Sequence, residues 1–230
     1  MATLLHPKKM LLLALCLVAS GAMALSLADL SNQDAGNGLK SALEKGSLAA
    51  VGKLGVENGF LNNEQVKIAL PAMLEKVRPV LKMTGRGQQL DDLVVSMNRA
   101  AEAAVPMARP LLINAVKSMT FSDAKQILTG GETSVTNFFR EKTSAALAVQ
   151  FLPIVKNVTD RSGLAGTYNA VVKQVSKLGV GQQAPTVERY VTGRALEGLY
   201  KMIEQEEKAI RRDPFGAGSA IIGKVFGALR

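Results

Sequence analysis

Between its breakers, the chain repeats apolar residues every three or four positions. In "QLDDLVVSMNRAAEAAV", Leu90, Leu93, Val94, Met97, Ala101, Ala104 and Val105 fall on one face of a helix. In "TVERYVTGRALEGLYKMIEQEEKAI", Val187, Tyr190, Val191, Leu196, Leu199, Tyr200, Ile203 and Ile210 do the same. No run of five or more residues sustains a period of two, so the pattern predicts an all-α fold, a single-domain irregular multi-helix bundle. Thr120 and Asp123 in "TFSD" form a capping-box signature, and Pro71 in "ALPAML" suits a first helical turn. Pro79, Pro110 and Pro153 fall inside apolar stretches, which predicts helices kinked or split there. The main internal loop signal is "LGVGQQAPT", Leu178 to Thr186, and "RDPFGAGS", Arg212 to Ser219, precedes a short last helix.

The first residues change the picture. Lys8 and Lys9, the run "MLLLALCLV" and then "GAMA", with Ala22 and Ala24 at small-residue positions, predict a secretory signal at 1–24, cleaved after Ala24. An uncleaved anchor is the alternative, because no charge lies between Met10 and Ala28; with Ser20, Gly21 and Ser26, that stretch barely reaches the ~20 apolar residues of a spanning helix. Cys16 follows Leu15 inside the apolar run, which speaks against a lipoprotein. Cleavage sends residues 25–230 to the periplasm, with no transmembrane span left, and removes His6 and Cys16, the only histidine and cysteine. Trp is absent throughout. Thiol nucleophiles, Ser-His-Asp triads and His- or Cys-based zinc sites then have no residues to build them, so no metal, cofactor or disulfide is expected. Carboxylates, lysines, tyrosines and hydroxyls remain.

Lys8 and Lys9 leave with the signal and no acid does, so the formal charge of +9 becomes 9 − 2 = +7. A basic exported protein suits an anionic envelope surface, or simply carries a solvated basic exterior. The basic residues are dispersed and aromatics are 4%, which excludes a stacking, nucleic-acid-binding stripe.

Three stretches hold candidate chemistry. "ILTGGETSVTNFFR", Ile127 to Arg140, has glycines and hydroxyls that suggest an anion cradle, but Glu132 stands where a phosphate loop needs lysine. The plainer reading is a helix join, with Gly130 as a left-handed cap and Thr133 or Ser134 starting the next helix. In "MNRAAEAAVP", Asn98 and Glu102 lie one turn apart beside a stripe of alanines, with Arg99 pointing away from Met97. They are one wall of a cleft, with Glu102 as acid or acceptor, or an interhelical hydrogen-bond network. In "IEQEEKAIRRDP", the apolar face runs into Glu206 and Glu207, so at least one carboxylate lies beside the core. An arginine should meet it: Arg211, four residues after Glu207, or Arg99 or Arg140 from another helix.

"GLKSALEKG", "NGFLNN", "VKIALP", "MNRAAEAAVP", "DAKQILTGG", "TNFFR", "YVTGRALEGLY" and "EEKAIRRDP", in this order, resemble the exported bacterial family Domain of Unknown Function 4197, over about Gly38 to Phe226. The resemblance implies an exported, mostly helical protein and supplies no activity, cofactor or catalytic residue. The expected role is binding: to an envelope protein, an anionic envelope surface, or a small ligand in a cleft near Asn98, Glu102 and Arg140. One alternative is a cell-wall glycan hydrolase with Glu102 as its acid, since glycoside cleavage needs only one or two carboxylates. Another is peripheral membrane attachment through "GSAIIGKVFGALR", where Ile221, Ile222, Val225, Phe226 and Leu229 share one side; the same segment can instead dock on its own core.

Overall fold

The apolar stripes predicted from the sequence are the buried faces. The computed structural model describes residues 32–83, 85, 87–163, 165–166, 168–169, 173, 185–216 and 220–227. Among these the fold is all-α, with helices and no strand. The helices are α1 (Asn32–Leu54), α2 (Ala72–Met83), α3 (Gly87–Ala104), α4 (Ala108–Lys117), α5 (Phe121–Thr129), α6 (Ser134–Arg161), α7 (Val187–Arg212) and α8 (Ala220–Gly227). The signal segment, its cleavage point at Ala24 and most of the loop from Leu178 lie outside the described residues. None of the described helices is long and apolar enough to cross a membrane.

Helices α6 and α7 pack along each other, α3 lies against both, and α1 lies against α7, α8 and α4. Their inner faces make one contiguous cluster, in which Leu43 and Val51 of α1, Met97 of α3, Phe139 and Phe151 of α6 and Leu199 of α7 are almost or fully buried. Ala100, Ala101 and Ala104 are fully buried, so the small-residue stripe of α3 lets its neighbours approach, as expected. The apolar side of α8 faces inward as well: Ile222, Val225 and Phe226 are buried on the core, with the Arg211 guanidinium 5.4 Å from the Phe226 ring centre.

The punctuation is partly as read. Thr120 and Asp123 form the full capping box of α5, and the hydrogen bonds from Thr120 hold the Asp123 carboxyl below its ordinary range. Pro71 stands one residue before α2, its carbonyl accepting from the Leu74 and Glu75 N–H groups. Helices α2 and α6 continue past Pro79 and Pro153 as single elements, and Pro110 falls in the first turn of α4, where an N–H has no partner to lose. A 3₁₀ turn over Val105–Met107, with Pro106 inside it, joins α3 to α4.

Between α1 and α2 the backbone is not helical. Asn58 takes a positive φ of 67°, which asparagine tolerates. A Cβ on Gly59 would stand 2.5 Å from the Leu54 carbonyl oxygen, so the chain can fold back over the end of α1 only with glycine there. A second turn follows over residues 64–66, where the Val66 and Lys67 N–H groups donate to the Asn63 carbonyl, and residues 67–70 then run extended: Val66, Ile68 and Leu70 are buried while Gln65, Lys67 and Ala69 are exposed. That alternation is a strand's, without a partner strand.

Candidate functional site

Of the polar residues singled out in the sequence, Asn98, Glu102 and Glu207 are buried, Arg99, Glu206 and Arg211 are half-buried, and Arg140 is exposed. Asn98 is fully buried on α3 and reaches the extended segment: its Oδ1 accepts from the Ile68 N–H at 2.8 Å, and its Nδ2 donates to the Ile68 carbonyl at 2.9 Å and to Val94 at 2.8 Å. One side chain thus supplies both bonds that a neighbouring strand would supply. Glu102, one turn on, accepts from the Phe60 and Leu61 N–H groups at 3.0 and 3.1 Å through Oε1. Its Oε2 takes the Arg99 guanidinium at 2.6 Å, and Arg99 continues to Glu57 and Asn58. Together they fasten residues 57–68 to α3.

Glu207 repeats the device on α7. Its carboxylate accepts from the Val135 and Thr136 N–H groups, both at 3.0 Å, and from the Thr136 hydroxyl at 2.9 Å. The Arg211 Nε and a terminal nitrogen donate to it at 3.1 and 3.0 Å, and that terminal nitrogen also reaches the Ser134 hydroxyl at 2.7 Å. Glu207 is therefore the N-terminal cap of α6, delivered from a helix more than 70 residues away in sequence. The anion site of the Gly-Gly segment exists, and the chain's own carboxylate fills it.

One local expectation is corrected here. Gly130 is extended, with φ −82° and ψ 171°, not a left-handed cap; it is glycine because a Cβ would stand 2.6 Å from Ser134 Cβ and 2.7 Å from the Gln126 carbonyl oxygen. The next helix starts where expected, with Thr133 at the N-cap position and Ser134 as the first residue of α6; Thr133 makes no side-chain cap bond, and Glu207 supplies that acceptor instead. Glu206 pairs with Lys53 across α1 and α7. Arg140 meets neither Glu102 nor Glu207; its guanidinium lies 4.7 Å from the ring centre of the buried Tyr200.

A large concavity lies on the other side of the extended segment. A groove of about 690 Å³ runs between residues 65–72 and the face of α7 carrying Tyr190, Arg194, Glu197, Gly198 and Lys201, with Tyr168 and Pro185 also lining it. Among the described residues, Lys67, Arg194 and Lys201 line it against the single acid Glu197. The Arg194 guanidinium sits 5.4 Å from the Tyr190 ring centre and donates to Glu197 at 2.7 Å; bonding to Tyr190 and Glu197 raises its pKa further. The Tyr190 hydroxyl donates to the Ala69 carbonyl at 3.0 Å, tying the walls together. Burial pushes the Tyr168 phenol up to about 12, which keeps it a neutral donor to Pro185. Gly198 is the close-approach point: a Cβ there would stand 2.6 Å from the buried Phe60 ring.

None of Asn98, Arg99, Glu102, Arg140, Glu206, Glu207 and Arg211 lines this groove. Asn98 holds one of its walls from behind. Of the groove residues of α7 the apolar pattern marks only Tyr190; Tyr190, Arg194, Glu197 and Lys201 are spaced by four, three and four, as one helix face requires.

No curated protein and no solved structure matches the chain. A family profile does, over residues 29–227, which take in every described helix and the groove. The chain thus belongs to the family described as "Protein of unknown function (DUF4197)", in agreement with the resemblance carried by its ordered motifs.

Proposed function

We propose that the protein is exported to the periplasm, loses residues 1–24, and acts there by binding, through the groove between residues 65–72 and α7. The observation that carries this is a contrast. The buried carboxylates suited to acid–base work, Glu102 and Glu207, spend their oxygens on backbone N–H groups and arginines. The groove, by comparison, is open and lined by three cations and one acid. Open concavities with a few convergent polar groups are where proteins hold ligands.

The test compares the wild type with Arg194→Glu/Lys201→Glu. Ligand-dependent melting against small anions, and capture from envelope extract, should give signals that the double variant loses. Equal retention by both proteins would overturn the reading. A glycan hydrolase centred on Glu102 has less support, because Glu102 faces the Phe60–Leu61 backbone and Arg99 rather than an opening. Attachment to a membrane through the last helix has less support too, since Ile222, Val225 and Phe226 are buried.

A further inference from the structure

We infer that the groove takes an acidic peptide in extended conformation, which adds as a strand to the open edge at Lys67–Ala69. The inference rests on the groove being the binding surface proposed above, and deepens it by naming a ligand class. Successive residues of an extended backbone turn their N–H and C=O groups to opposite edges. Ile68 gives both groups to Asn98, on the α3 side. Ala69 therefore faces the other way, toward α7, where the Tyr190 hydroxyl already reaches its carbonyl. Its N–H and the Lys67 carbonyl have no hydrogen-bond partner among the described residues. Residues 67–69 thus form a short strand-like edge, with a side-chain surrogate on one side and, among the described residues, one unbonded N–H and one unbonded carbonyl on the other. Such edges accept peptides by strand addition.

Dimensions and charge narrow the ligand. The α7 wall from Tyr190 to Lys201 is about 17 Å long at ~1.5 Å per helical residue, room for about five residues of a strand at ~3.3 Å each. A strand's side chains alternate, so every second one points toward the cations of the groove. Lys67, Arg194 and Lys201 are now held by Glu64, Glu197 and Glu204 in exposed pairs three residues apart. Such pairs are weak and exchange readily for an arriving carboxylate. Acids at alternate positions fit this wall, whereas lysines would meet three cations.

The test uses fluorescein-labelled Val-Glu-Val-Glu-Val and Val-Lys-Val-Lys-Val, followed by anisotropy, with wild type, Ala69→Pro and Arg194→Glu/Lys201→Glu. Proline removes the Ala69 N–H and suits an extended residue. The glutamate peptide should bind the wild type at least tenfold more tightly than either variant, and the lysine peptide should not bind. Amide exchange at Ala69 in the wild type should slow when the glutamate peptide is added, a readout that does not depend on how the proline variant folds. Equal binding by Ala69→Pro with unchanged exchange at Ala69 overturns the strand; if charge reversal still abolishes binding, the groove reading survives alone. Binding indifferent to both variants removes both readings. A dimer of the unliganded protein that Ala69→Pro dissociates would place a second copy at this edge and overturn the separate peptide.

Discussion

Replacing Glu207 by alanine removes the acceptor for two backbone N–H groups of α6, the partner of the Thr136 hydroxyl and the counter-charge of Arg211 in one step. The Glu207 side chain is 1% exposed and that of Arg211 16%, so water replaces little of what is lost. Breaking one side of a buried pair costs about 3–5 kcal/mol, and that range is expected here. Removing Arg211 instead, as Arg211→Met, leaves the carboxylate its three donors from Val135 and Thr136 and should cost about 2 kcal/mol. The double variant Glu207→Leu/Arg211→Leu should cost less than the sum of its singles by about 1–3 kcal/mol. Urea unfolding followed by far-UV circular dichroism measures all of these, and the melting temperature of Glu207→Ala should fall by about 6–20 °C. A Glu207→Ala loss under about 1 kcal/mol, or an Arg211→Met loss equal to it, would refute the assignment of Glu207 as the cap of α6.

Asn98→Ala should cost about 2–3 kcal/mol by leaving the Ile68 N–H and carbonyl unpaired, and limited proteolysis should then cut within residues 65–72. Gly198→Ala forces the buried Phe60 ring aside and should cost about 1–3 kcal/mol in the same unfolding assay. Between pH 10 and 12 the native state keeps the proton of Tyr168 that the unfolded chain has lost. The contribution of Tyr168 to stability is thus intact below pH 10 and declines as pH rises through that window, by up to about 2–3 kcal/mol. Burial raises the Tyr200 phenol as well, so a phenolate absorbance titration of the three tyrosines should show Tyr168 and Tyr200 both ionising late, and loss of the step near pH 12 from Tyr168→Phe checks the assignment.

The helices could be read from the sequence because each buries a stripe at helical spacing, and that spacing depends only on local geometry. The misfit of Glu206 and Glu207 in the apolar face of α7 likewise predicted a carboxylate at the core, with Arg211 one turn away as partner. What stayed hidden was the far side of each contact. Nothing near Glu207 tells which distant N–H groups it caps, and nothing near Asn98 announces a strand edge. The extended stretch is hidden for a smaller reason: Val66, Ile68 and Leu70 alternate with Gln65 and Lys67, but the apolar Ala69 breaks the pattern, and among the described residues no second strand accompanies it. Arg140 was expected at a carboxylate and instead covers an aromatic ring, a choice that pairing arithmetic along one helix cannot make.

The carboxylate that completes the first turn of α6 sits more than 70 residues downstream, which sets an order of events. A chain emerging from its N-terminus can wind most of α6 early, but that turn stays frayed until residue 207 has followed and α7 has docked. Shortened chains ending before that point should show a loosened start of α6 however well the rest has collapsed. Closing this distant contact is a late, loop-closing step that ties the completion of the middle of the protein to the arrival of its last long helix.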